Sequence, residues 1–198
     1  MSENHDMAKN QFDGDWDEFA NLKTVLLEAQ RVGALSTAPI DKVISHALWF
    51  AKAIPADATE IVDLGSGAGV PGLVIAIARP ELQVLLVDRR SGRTDALERS
   101  ISVLKLVPRV TVLCAEISSM IRDPQWMRKF DAAISRGLGP HMQTLTMSRD
   151  LVKHGGVIVV SEPPASAGSR WDASEISKLE LKGPERVGAV AMFHVEHL

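Results

Sequence analysis

The sequence predicts an α/β protein built on a doubly wound, mostly parallel sheet, with a helical extension in front of it. Three observations predict this. First, an apolar run (Ile61, Val62) enters Asp63-Leu64-Gly65-Ser66-Gly67-Ala68-Gly69-Val70-Pro71-Gly72, and a second apolar run follows from Leu73 to Ala78. That order reads as strand, glycine turn and helix. Second, the apolar run Val84 to Val87 ends in Asp88, twenty-three positions after Gly65. Third, short apolar runs keep alternating with helix-period segments downstream, the pattern of parallel strands joined by right-handed crossovers.

The elements follow in order. Residues 1 to about 14 are polar, with Glu3, Asp6 and Asp13, and are expected to be frayed. An N-terminal helical extension covers 15–55. In it, Phe19, Leu22, Val25, Leu26, Ala29 and Val32 fall at helical spacing. Pro39 opens a second amphipathic helix whose stripe includes Ile40, Val43, Ile44, Ala47 and Leu48, ending near Pro55. His46 lies beside that stripe and is read as a packed helix histidine in preference to a site residue. The α/β core is expected over 56–198, and the whole chain, 1–198, reads as a single domain. Strand 61–64 leads to helix 72–79, ended by Pro80; strand 84–88 leads to helix 92–106. Strand 109–113 precedes a short helix near 124–129. Strand 130–135 leads to helix 140–153, with Gly155-Gly156 as its stop signal, and then comes strand 157–161. A Pro163-Pro164 loop, a helix near 173–181 and an alternating stretch through Val187, Ala189, Ala191, Phe193 and Val195 complete the chain. That last stretch is expected as an antiparallel addition at one end of the sheet.

Composition narrows the function classes. The chain has 198 residues, 45% hydrophobic and 24% charged, enough for one α/β domain. The net charge is −3, so binding a nucleic acid requires a local basic face. Cys114, the single cysteine, permits no intrachain disulfide and is expected as a small buried hydrophobe. No spaced Cys/His cluster calls for a metal. No apolar run is long enough to cross a bilayer and the N-terminus is not a signal peptide, so a cytoplasmic protein is expected. Nothing in the sequence demands more than a monomer.

A glycine turn followed by an acid at the next strand end is how such sheets hold an adenosine ligand. Glycines admit the ligand close to the backbone, and the carboxylate takes the ribose hydroxyls. The dinucleotide pattern G-x-G-x-x-G fails here because Val70 stands at its third position; the spacing is G-x-G-x-G. No lysine follows the turn, so a triphosphate cradle is unsupported. Asp63, the glycines and Asp88 together look like a Rossmann-like class I S-adenosylmethionine-dependent methyltransferase. Its sulfonium, ammonium and ribose suit carboxylates better than a pyrophosphate site would. Ligands in such sheets lie at the strands' carboxyl ends. That rule selects Gly65 to Val70, Asp88, Ala115-Glu116, Ser135-Arg136-Gly137 and Ser161-Glu162.

Four stretches resemble the RsmG (glucose-inhibited division protein B) family, which methylates N7 of a guanine in 16S ribosomal RNA. They are Gly65-x-Gly67-x-Gly69-Val70-Pro71-Gly72; Leu86-Val87-Asp88 with a basic helix after it; Ala115-Glu116; and Phe130-Asp131-Ala132-Ala133-Ile134-Ser135-Arg136. The match covers roughly 40–160. The resemblance implies S-adenosylmethionine as cofactor, held by Gly65, Gly67, Gly69, Val70, Asp88, Ala115, Glu116 and Arg136. Asp88 would hold the ribose, and Glu116 with the Ala115 backbone would meet the adenine. It implies small-subunit ribosomal RNA as the partner, with no membrane and no metal. Three segments depart from the family pattern: Asp88-Arg89-Arg90-Ser91-Gly92-Arg93, Ser161-Glu162-Pro163-Pro164, and Gly33-Ala34-Leu35-Ser36-Thr37.

Substrate contacts are expected from Arg89, Arg90 and Arg136. Two readings of Arg89, Arg90, Arg93 and Arg99 compete: an RNA-facing strip, or a solvated helix face paired with Asp95 and Glu98. Arg136 acts on the ligands or makes a structural ion pair with an acid such as Asp131. Trp49, Trp126 and Trp171 are read first as packing residues and second as base-stacking ones. No catalytic side chain is expected, since guanine N7 offers a lone pair and no proton. Two alternatives stay open: a small-molecule methyltransferase, motivated by the negative charge and Glu162, and a non-catalytic S-adenosylmethionine-binding paralogue. A nicotinamide oxidoreductase is a distant further reading.

Overall fold

The computed structural model describes residues 19–196; the expected fraying of 1–14 lies outside the described residues. Two helices come first, α1 (Ala20–Arg31) and α2 (Ile40–Ala53). The core follows as β1 (Glu60–Leu64), α3 (Gly72–Ala78), β2 (Gln83–Asp88), α4 (Ser91–Val103), β3 (Val110–Cys114), α5 (Ile117–Met120), β4 (Phe130–Ser135), α6 (His141–Arg149) and β5 (Val152–Ser161). A 3₁₀ turn (Ala165–Ala167), α7 (Ala173–Lys178) and a hairpin of β6 (Leu181–Val187) and β7 (Val190–Val195) end it.

The strands form one sheet in the order β3-β2-β1-β4-β5-β7-β6. The first five pair in parallel; β7 pairs antiparallel with both β5 and β6. The chain reverses direction of travel between β1 and β4, so a crevice opens at their carboxyl ends. Alternation along the strands sorts two cores. Ile61, Leu86 and Ile134 face α1 to α4 together with fully buried Leu22, Ile44 and Phe50. Val62, Val87 and Ile158 face the other side with Met120, Leu145 and Ile176. Each such side chain contributes about 1.5–3 kcal/mol by leaving water. Arg79 ties the extension to the core: its guanidinium donates to the carbonyls of Ala51, Ile54 and Pro55 at 3.2–3.3 Å, groups left open where α2 ends.

Several element boundaries differ from expectation. The helix expected near 124–129 is absent; α5 lies earlier, and turns fill 121–128. Asp123 Oδ1 accepts from Gln125 N at 3.0 Å, a local bond that competes with helix. Helix α6 stops at Arg149, and Gly155-Gly156 are inside β5, not at a helix end. The β4–β5 register slips there, from Phe130↔Val152 to Ala132↔Val157. Gly155 has φ +76°, and a Cβ on Gly156 would sit 2.6 Å from the Asp131 carbonyl, so the pair makes a bulge. The final alternating stretch is a hairpin turned at Gly188 (φ +58°), with Val187 closing β6 and β7 running antiparallel as expected. Cys114 is exposed, not buried, because it ends the edge strand at the open tip of the sheet.

Candidate functional site

The loop after β1 is shaped by three glycines in the left-handed region, Gly65 (φ +74°), Gly67 (φ +57°) and Gly69 (φ +87°). Such backbone costs a side-chain-bearing residue energy and turns the Gly67 N–H toward the tip of β2. There it donates to Asp88 Oδ2 at 3.0 Å. Arg90 N donates to the other oxygen, Oδ1, at 3.0 Å, and Arg90 Nε lies 3.4 Å from it. Burial raises the Asp88 pKa, but the Arg90 and Gly67 hydrogen bonds outweigh it and hold the carboxyl below its usual range. The result is a carboxylate fixed in place and ionised at neutral pH.

A crevice of about 490 Å³ opens over this carboxylate. It gathers six of the residues expected from sequence: Gly65, Asp88, Arg89, Arg90, Ala115 and Glu116. Gly67 joins them through its bond to Asp88. The Ala115 N–H donates to the Asp88 carbonyl at 3.2 Å, which locks the tips of β2 and β3 together. Arg89 lies 3.6 Å from Glu116 across the rim. The far wall, which sequence reading missed, comes from Leu138, Pro140, Gln143 and Met147 around the start of α6. Gly137 belongs there too, and only its place after β4 hinted at it.

The remaining expected residues stand elsewhere. Gly69 backs onto Leu73, and Val70 is buried in the core. Arg136 is half-buried on the α2 side of the sheet, where its charge interacts with Asp63 and His46. It does not pair with Asp131, which is held by Lys153 Nζ at 2.7 Å and by Thr59 N and Glu60 N at 2.8 Å. Asp63 is 1% exposed; burial pushes its carboxyl up to about 7, against the Gly72 N–H that reaches Oδ2 at 3.0 Å. Asp63 Oδ1, Arg136 Nη1 and His46 Nδ1 are buried without hydrogen-bond partners. Buried polar atoms ordinarily find partners, so these three, coupled through the Arg136 charge, mark an unusual polar cluster inside the fold.

The arginines before and within α4 divide. Arg89 and Arg90 reach the crevice, whereas Arg93 Nη1 donates to the Ala34 carbonyl at 2.7 Å and secures the loop between α1 and α2. Trp49 packs against Gly188 and Trp126 stacks on Phe130, both packing roles. Among the described residues no group of three or more His, Cys, Asp or Glu side chains is placed to hold a metal ion. No helix among them is long and apolar enough to cross a membrane.

Comparison with known proteins agrees with this geometry. Residues 21–166 match the family model described as rRNA small subunit methyltransferase G. A ribosomal RNA small subunit methyltransferase G from Nocardioides sp. is 37% identical over 150 residues, covering 71% of this chain and 58% of the relative. One from Desulfitobacterium hafniense is 30% identical over 149 residues, covering 75% and 57%. The chain therefore spans a little over half the length of these curated relatives. Among solved structures, cofactor-bound Rv0187 from MTB superposes with a TM-score of 0.63 at 14% identity, covering 89% of this chain and 90% of that one. An O-methyltransferase family protein from Burkholderia thailandensis gives 0.56 at 14% identity, covering 91% and 69%. The architecture is the Rossmann-like class I methyltransferase fold.

Proposed function

Because the chain belongs to the rRNA small subunit methyltransferase G family, we propose that it transfers a methyl group from S-adenosylmethionine to N7 of a guanine in 16S ribosomal RNA. The observation that carries this reading is the Asp88 carboxylate, ionised and exposed to a crevice floored by glycine backbone. Asp88 Oδ1 accepts from Arg90 N and Nε, whereas Oδ2 accepts only the Gly67 N–H and keeps a lone pair for a ribose hydroxyl. Ala115 backbone and Glu116 lie where the adenine would end, with Ile117 as an apolar wall.

S-adenosylmethionine supplies the electrophilic methyl group on a sulfonium. The protein's task is alignment, because guanine N7 has a lone pair and no proton to remove. Asp88, Gly65 and Gly67 fix the donor, and the wall at Leu138 and Pro140 limits the approach of the acceptor. Glu162, which helped motivate the small-molecule alternative, is spent: Trp171 Nε1 and Arg170 Nε hold it at 3.0–3.1 Å. It offers no free carboxylate to a small substrate. The family's ribosomal target is therefore the better reading.

The experiment is methyl transfer from labelled S-adenosylmethionine to small-subunit particles and RNA taken from a strain lacking the gene. Nuclease digestion should yield labelled 7-methylguanosine. Label in another nucleoside, or none in RNA, would remove the assignment.

A further inference from the structure

The loop after β5 carries a polar cluster that the proposed reaction leaves unused. Glu162, 6% exposed at its side chain, accepts from Trp171 Nε1 at 3.0 Å to both oxygens and from Arg170 Nε at 3.1 Å. Arg186 Nη2 lies 3.9 Å from the same carboxylate. Arg170 also donates to the Ser161 carbonyl and Arg186 to the Pro163 carbonyl. Two guanidiniums thus share one carboxylate, which leaves local positive charge on a chain whose net charge is −3.

The cluster stands beside the crevice. Trp171 packs edge-on against Phe193 of β7 at 4.7 Å and His141 at 5.1 Å. His141 opens α6 directly after Pro140 of the crevice wall. The Arg170 guanidinium lies 4.7 Å over the Trp171 ring. Its Nε and Nη2 are engaged, but Nη1 has no hydrogen-bond partner among the described residues and the side chain is 34% exposed. The guanidinium is held in position while one face and one donor nitrogen stay open. A fixed planar cation loses little entropy on binding, stacks on an unpaired base and donates to a phosphate oxygen.

We propose that the Arg170–Trp171 stack, set by Glu162, contacts the single-stranded RNA flanking the methylated guanine. This rests on the reading of RNA as substrate. It gives Glu162, in a segment where the chain departs from the family pattern, the role of positioning that contact.

The test is fluorescence anisotropy with a labelled single-stranded RNA oligonucleotide of mixed sequence, over a range of salt concentrations. Wild type, Arg170→Gln and Arg170→Lys are compared, and each is titrated with S-adenosylhomocysteine to read the crevice separately. Arg170→Gln should keep S-adenosylhomocysteine affinity and weaken RNA binding at least about fivefold, the low end for one stacked base. Its slope of log affinity against log salt should shrink by about 0.7, one single-strand phosphate contact. Arg170→Lys should recover the slope but not the full affinity, because an ammonium does not stack. RNA binding by wild type with unchanged affinity and slope in Arg170→Gln overturns this inference and leaves the substrate reading standing. No RNA binding by wild type overturns both. If Arg170→Gln also loses S-adenosylhomocysteine, Arg170→Lys decides: affinity equal to wild type refutes the stacking contact, and a deficit at intact crevice affinity supports it.

Discussion

The Gly67 backbone N–H donates to Asp88 Oδ2 at 3.0 Å, so the glycine turn after β1 and the acid at the tip of β2 form one rigid unit. The residue that would grip the ribose is itself gripped by the loop that admits the ligand. Preorganisation of this kind lowers the entropy lost on binding.

Asp88→Asn should therefore weaken S-adenosylhomocysteine binding by about 1–3 kcal/mol, the worth of a charge-assisted hydrogen bond lost without changing shape. Calorimetry measures it directly. Affinity equal to wild type would show that the carboxylate does not meet the ligand.

Gly72 begins α3 in a space with no room for a methyl group. A Cβ there would lie 2.4 Å from Leu86 Cδ2 and 2.6 Å from Asp63 Oδ2, both buried. Gly72→Ala should destabilise the fold by about 1–3 kcal/mol through overpacking, seen as a lower urea midpoint at constant m-value. An unshifted midpoint would mean that the β1–α3 seam yields freely.

The buried Asp63 should give stability an unusual pH slope. Its folded pKa of about 7 exceeds the unfolded value of about 4, so between these limits the unfolded state binds fewer protons. Asp63 then opposes folding increasingly as pH rises from about 4 to 7, by up to roughly 4 kcal/mol on the full shift. Asp63→Asn should lose this component, so its stability relative to wild type improves as pH rises from about 4 to about 7. A relative stability flat with pH in urea titrations would contradict the buried neutral acid.

Asp131 works in the opposite direction. Burial raises its pKa, but Lys153 and the Glu60 and Thr59 N–H groups overcome that and bring it to about 2. The folded value lies below the unfolded one, so its contribution is present above about pH 4 and disappears as pH falls toward 2. The side chain is 22% exposed, so about 1–2 kcal/mol is expected from Asp131→Asn at neutral pH. The gap between variant and wild type should close in acid; a gap that persists there would mean packing, not charge, is responsible.

The periodicity of the chain and its glycine turn determined the parallel sheet, the two leading helices and the union of Gly65, Asp88, Ala115 and Glu116, because strand ends converge at a place that topology fixes in advance. Local signals could not tell that Gly155-Gly156 make a bulge instead of a helix stop, since either conformation suits glycine and only the Asp131 carbonyl opposite decides. Nor could they reveal that Arg136 faces Asp63, or that Glu162 is bound by Trp171, Arg170 and Arg186. Those pairings join residues on different elements, and burial, not sequence distance, sets which charges must meet.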